Sequence, residues 1–555
     1  AKLRDDWPEW QDAIEKELNN LASRGTYREL IKGEIPKNVL DTKLVLKIKR
    51  NPDGSEEKKK ARLTARGFLQ RFGLDYHKTS SPVSTKTVVK MILANAKRRG
   101  RKTILVDFCA AFLYPQLKEQ IYLQLPELFG SDSGKIVKLL KTLYGLKQAS
   151  HEWYNALVKV LKEFGFKQAP EDVDQCLFIH EKYDIELCSH VDDCIISYND
   201  IKGVNKLLEV LSERGFEYTE SERVTKALGL QITEDETSIT LSQPSYVEIM
   251  LKDYDLQDIP EKKAPPNMWL DKRQSDEKKV DQEQYRSMIG CLGYLAQMTR
   301  PDIEQYTYHL ATFVSDPGEM HLEKLIELMG YLKRFPHRGI RFSIDENQEN
   351  LWKFYVDADW AGDLATRKST TGYIIQFMNG PLVTVSRRQK TVSLSSTEAE
   401  YVSFTEVIRD IKWVKKIAEY MKIPFPSPAL IRNDNLTAQG IAKGEAKLQR
   451  TKHIDTKYHF IREAIELGIV DMIHVPREVN ISDMFTHPLG PTLHQRQSKE
   501  VLNEECEEEV TKALSAIQRT QTESTYDDLQ EKMQELSIFP QTRSPWDTHH
   551  IEMAV

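Results

Sequence analysis

The sequence predicts a multidomain α+β protein. Three observations predict it. The length of 555 residues exceeds the roughly 250 to 300 at which a single core stops growing, so two or three domains are expected. An apolar fraction of 40%, with 8 Trp, 22 Tyr and 19 Phe, suffices for ordinary cores and excludes wholesale disorder. Segments with strand alternation and segments with helical spacing succeed one another twice, separated by a helical middle.

The elements follow in order. Residues 7–21 have the spacing of an amphipathic helix. Lys43-Leu-Val-Leu-Lys-Ile-Lys and Lys60-Ala-Arg-Leu-Thr-Ala-Arg alternate as strands, and Asn51-Pro-Asp-Gly between them is a strong hairpin turn. A helix over 85–98, an apolar strand over 103–106, a helix over 143–165 and strands over 176–180 and 185–198 come next. From Ser242, apolar residues recur at helical spacing over 246–251, 285–298 and 322–335, which predicts a helical connector.

Alternation returns at Leu351-Trp-Lys-Phe-Tyr-Val-Asp and runs through Tyr373-Ile-Ile-Gln-Phe and Leu382-Val-Thr-Val to a helix starting at Ser395-Ser-Thr-Glu. A strand at Ala429-Leu-Ile-Arg, further helices and a strand over 469–475 complete a domain of its own. Beyond Pro491 the chain is charged and poor in core residues. Val510, Leu514 and Ile517, then Leu529, Met533 and Leu536, predict two surface helices or partial disorder. The expected domains are therefore 1–235, 236–348, 349–490 and a tail over 491–555.

Composition narrows the function. No run approaches the roughly 20 apolar residues of a membrane span, and the first residues carry no signal-peptide core, so no membrane partner and a cytosolic or nuclear location are expected. The start without Met fits a segment of something larger. Cys109, Cys176, Cys188, Cys194, Cys291 and Cys506 are scattered and read as reduced core residues, not as zinc ligands or disulfides. The net charge of −6 conceals a basic region over 43–102. There Lys47, Lys49, Arg50, Lys58, Lys59, Lys60, Arg62, Arg66 and Arg71 are interleaved with Phe68, Phe72 and Tyr76. Phosphate contact and a solvated charged face are equally good accounts of such a run.

Two sets of acids carry chemistry. In Ile185-Glu-Leu-Cys-Ser-His-Val-Asp-Asp-Cys-Ile-Ile-Ser-Tyr, Asp192 and Asp193 fall at the join of two apolar runs, as at a hairpin tip. Asp-Asp at a turn is ordinarily turn chemistry, but Asp107 ends another apolar strand, Ile104-Leu-Val. Carboxylates from two strand ends supply the hard oxygens that Mg²⁺ takes. Two ions roughly 3.5 to 4 Å apart clamp the attacking and leaving oxygens of an in-line phosphoryl transfer. The second set is Asp357, Glu398, Asp434 and Asp483, each at a strand end, a first helical turn or a loop. Each position alone has a capping or dipole explanation.

Lys60-Ala-Arg-Leu-Thr-Ala-Arg-Gly-Phe-Leu-Gln, Ser81-Pro-Val, Asp107 with Ala111-Phe-Leu, Ile121-Tyr-Leu-Gln-Leu-Pro, Leu143-Tyr-Gly-Leu-Lys-Gln-Ala and Val191-Asp-Asp occur in this order. They resemble the reverse transcriptases of copia-type LTR retrotransposon Pol polyproteins. The resemblance continues through Arg286-Ser-Met-Ile-Gly and Thr299-Arg-Pro-Asp and covers residues 7 to about 489. The second acid set, with Ser369-Thr-Thr-Gly-Tyr between its first two members, resembles the ribonuclease H domain of the same elements.

The resemblance implies a right-hand polymerase of fingers, palm and thumb, a helical connection and a ribonuclease H-like α/β domain. It implies Asp107, Asp192 and Asp193 as polymerase metal ligands, with Asp193 the least direct. It also implies Phe112 beneath the incoming sugar, where core packing is the even alternative, Gly145 and Gln148 beside the nucleotide, and Lys60, Arg62 and Arg66 on triphosphate and template. Asp357, Glu398, Asp434 and Asp483 are implied as ribonuclease H ligands, with two Mg²⁺ per site and Mn²⁺ as a substitute. The implied partners are RNA template, DNA primer, RNA–DNA hybrid, dNTPs and other products of the same polyprotein. The implied location is the cytoplasm, in virus-like particles, with nuclear entry of the complex.

The chain departs from the family at His190, where an aromatic precedes Val-Asp-Asp, and in lacking a His on the loop before Asp483. His453, His459 and His474 are the candidate substitutes, with phosphate contact or packing the commoner role for such a His. The alternative function is a catalytically silent nucleic-acid-binding or assembly protein that keeps the fold, and metal-dependent turnover separates the two.

Overall fold

The structure, a computed structural model, describes residues 6–50, 56–127, 133–268, 270–344, 351–363, 366–444 and 455–504. Two compact units emerge. The first draws on Ala1–Thr85 and Arg101–Val224, the second on Lys86–Gly100 and Thr225–Ser515.

In the first unit, helix Trp7–Ser23 starts with Pro in its first turn and buries Trp10, Ala13, Ile14, Glu17 and Leu21 on one stripe. Ala13 and Ile14 pack against Ala61 of strand Glu56–Ala65. That strand pairs antiparallel with Thr42–Arg50, as the alternation predicts. The Asn51-Pro-Asp-Gly turn lies outside the described residues. A four-stranded sheet orders Tyr27–Glu29, Ile136–Leu139, Tyr122–Gln124 and Val39–Leu40.

A six-stranded antiparallel sheet orders Tyr218–Glu220, Lys102–Phe108, Asp193–Tyr198, Ile185–His190, Leu177–His180 and Lys167–Gln168. Helices Ala149–Phe164 and Ile201–Glu213 contribute Trp153, Leu157, Leu161 and Leu207 to its core, beside Ile104, Val106, Phe108 and Ile196. Each such side chain contributes about 1.5–3 kcal/mol of burial. The helix expected from residue 143 begins only at Ala149. Residues 143–148 instead form a turn pressed on strand Glu56–Ala65, where Ala65 N donates to Tyr144 O at 2.8 Å.

The second unit opens with an antiparallel sheet of Lys226–Ala227, Leu230–Glu234, Ser238–Ser242 and Gly339–Ser343. The expected all-helical connector is therefore bounded by two strands that pair with each other, Leu241 opposite Ile340. Five-residue strands show too little alternation to stand out in the sequence. Between them lie helices Pro244–Asp253, Gln282–Met298, Glu304–Ala311 and Glu319–Arg334. Arg300 and Asp302, both 1% exposed, pair at 2.8 Å in the core of this bundle.

A five-stranded mixed sheet orders Gly380–Arg388, Thr370–Phe377, Trp352–Asp359, Ala429–Asn433 and Val470–His474. The last two strands join in parallel and the others antiparallel. Helix Ser396–Tyr420 packs on it through Tyr401, Phe404, Ile408 and Ile411 among others. The charged tail expected from 491 instead begins with helix Pro491–Leu502, whose Val501 joins Ile374, Ile481, Met484 and Phe485 in a buried cluster. The two expected helices carrying Val510, Leu514 and Ile517 and Leu529, Met533 and Leu536 lie outside the described residues. The fold class is multidomain α+β, as predicted.

Candidate active sites

Hairpin Ile185–His190 and Asp193–Tyr198 turns through Val191 and Asp192, with His190 opposite Asp193. Val191 takes a left-handed φ of 55°, strained for a β-branched residue. Its carbonyl accepts from Trp153 Nε1 at 2.6 Å, so the core helix holds the strained turn in place. On the other side Asp193 stands opposite Asp107 in the ladder, and Phe108 N donates to Asp192 O at 2.9 Å. The three expected acids thus converge on one strand end. Asp193 is buried and Asp107 and Asp192 are partly exposed. Among the described residues the three do not offer ligand atoms all within 4.8 Å of one another. His190 Nδ1 lies 2.9 Å from Ser84 Oγ.

Along Glu56–Ala65 and its exit, Lys60, Arg62 and Arg66 alternate with buried Ala61, Leu63 and Ala65, so the cations share the face opposite the core. Arg62 lies over the Tyr144 ring at 4.9 Å and Arg66 pairs with Asp41 at 3.0 Å. Phe112 is partly buried, edge-on to Tyr144 at 5.6 Å. Gly145 has φ 84°, and a Cβ there would meet Ala65 O at 2.2 Å, which explains why this turn requires glycine. Gln148 is 2% exposed, donates to Asp75 O and accepts from Gln70 Nε2, both at 2.8 Å. Its amide latches the turn from within.

The second acid set is assembled by the five-stranded sheet. Asp357 lies near the end of the central strand, Asp434 directly follows the neighbouring parallel strand, and Asp483 sits on the short helical turn Ile481–Phe485. The fourth member is Glu400, which corrects the expectation of Glu398. Glu398 is in the first turn of helix Ser396–Tyr420, where its N donates to Ser395 Oγ at 3.1 Å and its Oε2 accepts from Leu394 N at 2.8 Å. That is a capping arrangement. Two residues further, roughly 200° around the helix, Glu400 turns to the sheet and accepts from Asn433 Nδ2 at 3.1 Å.

Two groups of potential ligands result: Asp357, Glu400 and Asp434, and Asp357, Asp483 and His487, each with its ligand atoms within 4.8 Å of one another. Asp357 belongs to both. Burial, then the Asp483 charge, pushes the Asp357 carboxyl up to about 7. Burial, then Asp357 and Asp434, drives Glu400 well above the ordinary carboxylate range, and burial raises Asp483 against the pull of Arg477. Carboxylates so crowded and desolvated disfavour their own charge unless a cation compensates it. The donor set, oxygen-rich and buried, fits a pair of divalent ions.

His487 follows Asp483 by four residues, on the side of it opposite to the loop where the resemblance leads one to expect a His. Of the expected substitutes, His459 and His474 are exposed and outside both groups, and His453 lies outside the described residues. Glu400 was legible in the same Glu-Ala-Glu motif, but only the helix phase chooses between its two glutamates.

The reverse transcriptase (RNA-dependent DNA polymerase) family matches residues 26–268. The chain is 33% identical over 498 residues to the retrovirus-related Pol polyprotein from transposon RE1 of Arabidopsis thaliana, covering 89% of this chain and 34% of that protein. It is 31% identical to the corresponding polyprotein from transposon TNT 1-94 of Nicotiana tabacum, covering 85% of this chain and 36% of that protein. The chain thus spans about a third of the length of these relatives. Among solved structures, the foamy viral protease-reverse transcriptase dRH in complex with double-stranded DNA aligns with a TM-score of 0.49 and 13% identity, over 84% of this chain and 69% of that one. Residues 26–268 match the reverse transcriptase family, and along most of its length the chain is similar to the retrovirus-related Pol polyproteins from transposons RE1, RE2 and TNT 1-94.

Proposed function

We propose that the chain copies element RNA into DNA and degrades the RNA strand of the resulting RNA–DNA hybrid, in both cases by phosphoryl transfer with two divalent ions. One observation carries the two-ion reading: two ligand groups in the second unit share Asp357. A carboxylate common to both groups is what an ion pair bridged by one residue requires. The polymerase half is supported by the family match and by the convergence of Asp107, Asp192 and Asp193 on one strand end.

In the polymerase site Asp107 and Asp192 would hold the ions, with Asp193 supporting the ladder. In the ribonuclease H site Asp357, Glu400, Asp434 and Asp483 would hold them. Bound Mg²⁺ would neutralise charge on the phosphate and activate the attacking oxygen. Arg62 and Arg66 suit triphosphate and template phosphates, and Lys60 shares their face. Gly145 and Gln148 act on the nucleotide through the turn they shape, and Phe112 stands beside the sugar. In the ribonuclease H site, 2′-hydroxyls read across the minor groove distinguish RNA from DNA. RNA template, DNA primer, dNTPs and sister products of the polyprotein are the partners, in cytoplasmic virus-like particles, with nuclear entry of the complex.

The test is primer extension on an RNA template with Mg²⁺ and dNTPs, scoring DNA made and template cut. Asp192→Asn should lose synthesis and keep cleavage, Glu400→Gln should do the reverse, and Glu398→Gln should keep both. A parent chain that binds the hybrid and does neither would leave the assembly protein as the correct reading.

A further inference from the structure

The two ligand groups around Asp357 are chemically unequal. Asp357, Glu400 and Asp434 offer oxygen only, whereas Asp357, Asp483 and His487 offer two oxygens and an imidazole nitrogen. Asp357 and Asp483 are 6% and 4% exposed, and His487 is partly buried beside them.

The hydrogen bonds around Thr486 select which imidazole nitrogen is available. Thr486 Oγ1 lies 2.7 Å from Asp357 Oδ2, 2.9 Å from Asp483 O and 3.0 Å from His487 Nδ1. When Asp357 is ionised, as ion binding requires, it and the carbonyl can only accept, and a hydroxyl proton given to either of them leaves the ring nitrogen to donate. Oγ1 is then an acceptor toward the ring, and Nδ1 carries the hydrogen. The lone pair is left on Nε2. A ligand imidazole is commonly oriented in this way, by a hydrogen bond from its other nitrogen.

We propose that His487 is a nitrogen ligand of the ion held by Asp357 and Asp483, and that this position therefore takes a first-row transition ion, Mn²⁺ among them, in preference to Mg²⁺. The all-oxygen group with Glu400 and Asp434 keeps the hard-cation preference. Imidazole suits borderline metals and adds little for Mg²⁺. The proposal rests on the two-ion reading of this site. It assigns to the chain a mixed-metal centre in which one residue, Asp357, serves both ions.

The experiment uses the full chain with Mn²⁺ as probe. Bound Mn²⁺ is counted by electron paramagnetic resonance, and pulsed measurements record imidazole ¹⁴N modulation on it. The parent should show ¹⁴N modulation. His487→Gln should lose it and bind Mn²⁺ roughly tenfold more weakly or worse, with Mg²⁺ affinity changed less than about threefold. Mn²⁺ that is bound through Asp357, as judged by its loss in Asp357→Asn, yet shows no ¹⁴N modulation in the parent would overturn the proposal. Modulation persisting in His487→Gln would do the same. Mn²⁺ binding unaltered in Asp357→Asn would remove the two-ion reading itself, and the proposal with it. Melting temperatures show which variants are folded, and His487→Asn and Asp357→Ala are measured beside the first two so that a single substitution that fails to fold leaves the test intact.

Discussion

Gly372 stands opposite Asp357 in the central ladder of the second unit's sheet, and the Cβ it lacks would lie 2.6 Å from Thr486 Cγ2 and 3.0 Å from Phe485 Cβ. The absent side chain is the space through which the turn bearing Asp483 closes over Asp357. A local backbone requirement of one strand thereby decides whether two candidate ligands from distant segments meet.

Gly372→Ala should therefore lift the turn off the strand. We expect a loss of about 1–3 kcal/mol in stability and of most RNA cleavage, with DNA synthesis retained. Thermal unfolding and the two activities, measured on one preparation, check this. Wild-type cleavage in the variant would mean that the turn closes without that gap.

Trp153→Phe keeps the ring in the core but removes the donor to Val191 O. A carbonyl left unpaired in this partly buried turn costs up to about 1–3 kcal/mol, here against a turn already strained at φ 55°. DNA synthesis should fall by roughly ten- to a hundredfold through misplaced Asp192, with RNA cleavage unchanged. Steady-state kinetics on a defined primer–template pair provides the comparison.

The metal-free protein should lose stability as pH rises. Asp357 sits at about 7 in the fold, raised first by burial and then by Asp483, against 3.8 ordinarily. Between those values the folded state binds more protons than the unfolded one, so unfolding becomes easier with increasing pH. The contribution is fully present below about pH 4 and is lost through about 7. In EDTA the melting temperature should drop from pH 5 to pH 8 by more in the parent than in Asp357→Asn, and Mg²⁺ at pH 8 should restore it. Equal drops in parent and variant would refute the assignment.

Ser395→Ala should cost about 1 kcal/mol through loss of the bond from Glu398 N. Glu398→Gln retains an acceptor for Leu394 N, and cleavage should persist in it. Glu400→Gln, by contrast, should abolish cleavage with little change in melting temperature. Loss of cleavage in Glu398→Gln alone would reverse the choice between the two glutamates.

Much of the fold was legible because local rules act over a few residues. The apolar runs before Asp107 and on both sides of Asp192, and the alternation before Asp357, announced those strands, and helix Trp7–Ser23 follows its apolar stripe. Of the cysteines read as core residues, Cys176, Cys188 and Cys194 are buried, Cys109 and Cys291 are partly exposed, and Cys506 lies outside the described residues. The late start of helix Ala149–Phe164 was not legible, since residues 143–148 have helical spacing but are held as a turn by a contact with Ala65, far away in sequence.

By itself the sequence determined the acids, their order and their strand-end positions, because alternation and capping are written in neighbouring residues. Only the tertiary structure decided which carboxylates meet. Glu398 and Glu400 share a motif, yet helix phase turns one to its own N-terminus and the other to Asn433. His487 reaches Asp357 and Asp483 because a turn packs through the gap at Gly372. The meeting of these side chains depends on distances of a few ångströms between segments far apart in the sequence, and such distances exist only once the sheet has closed.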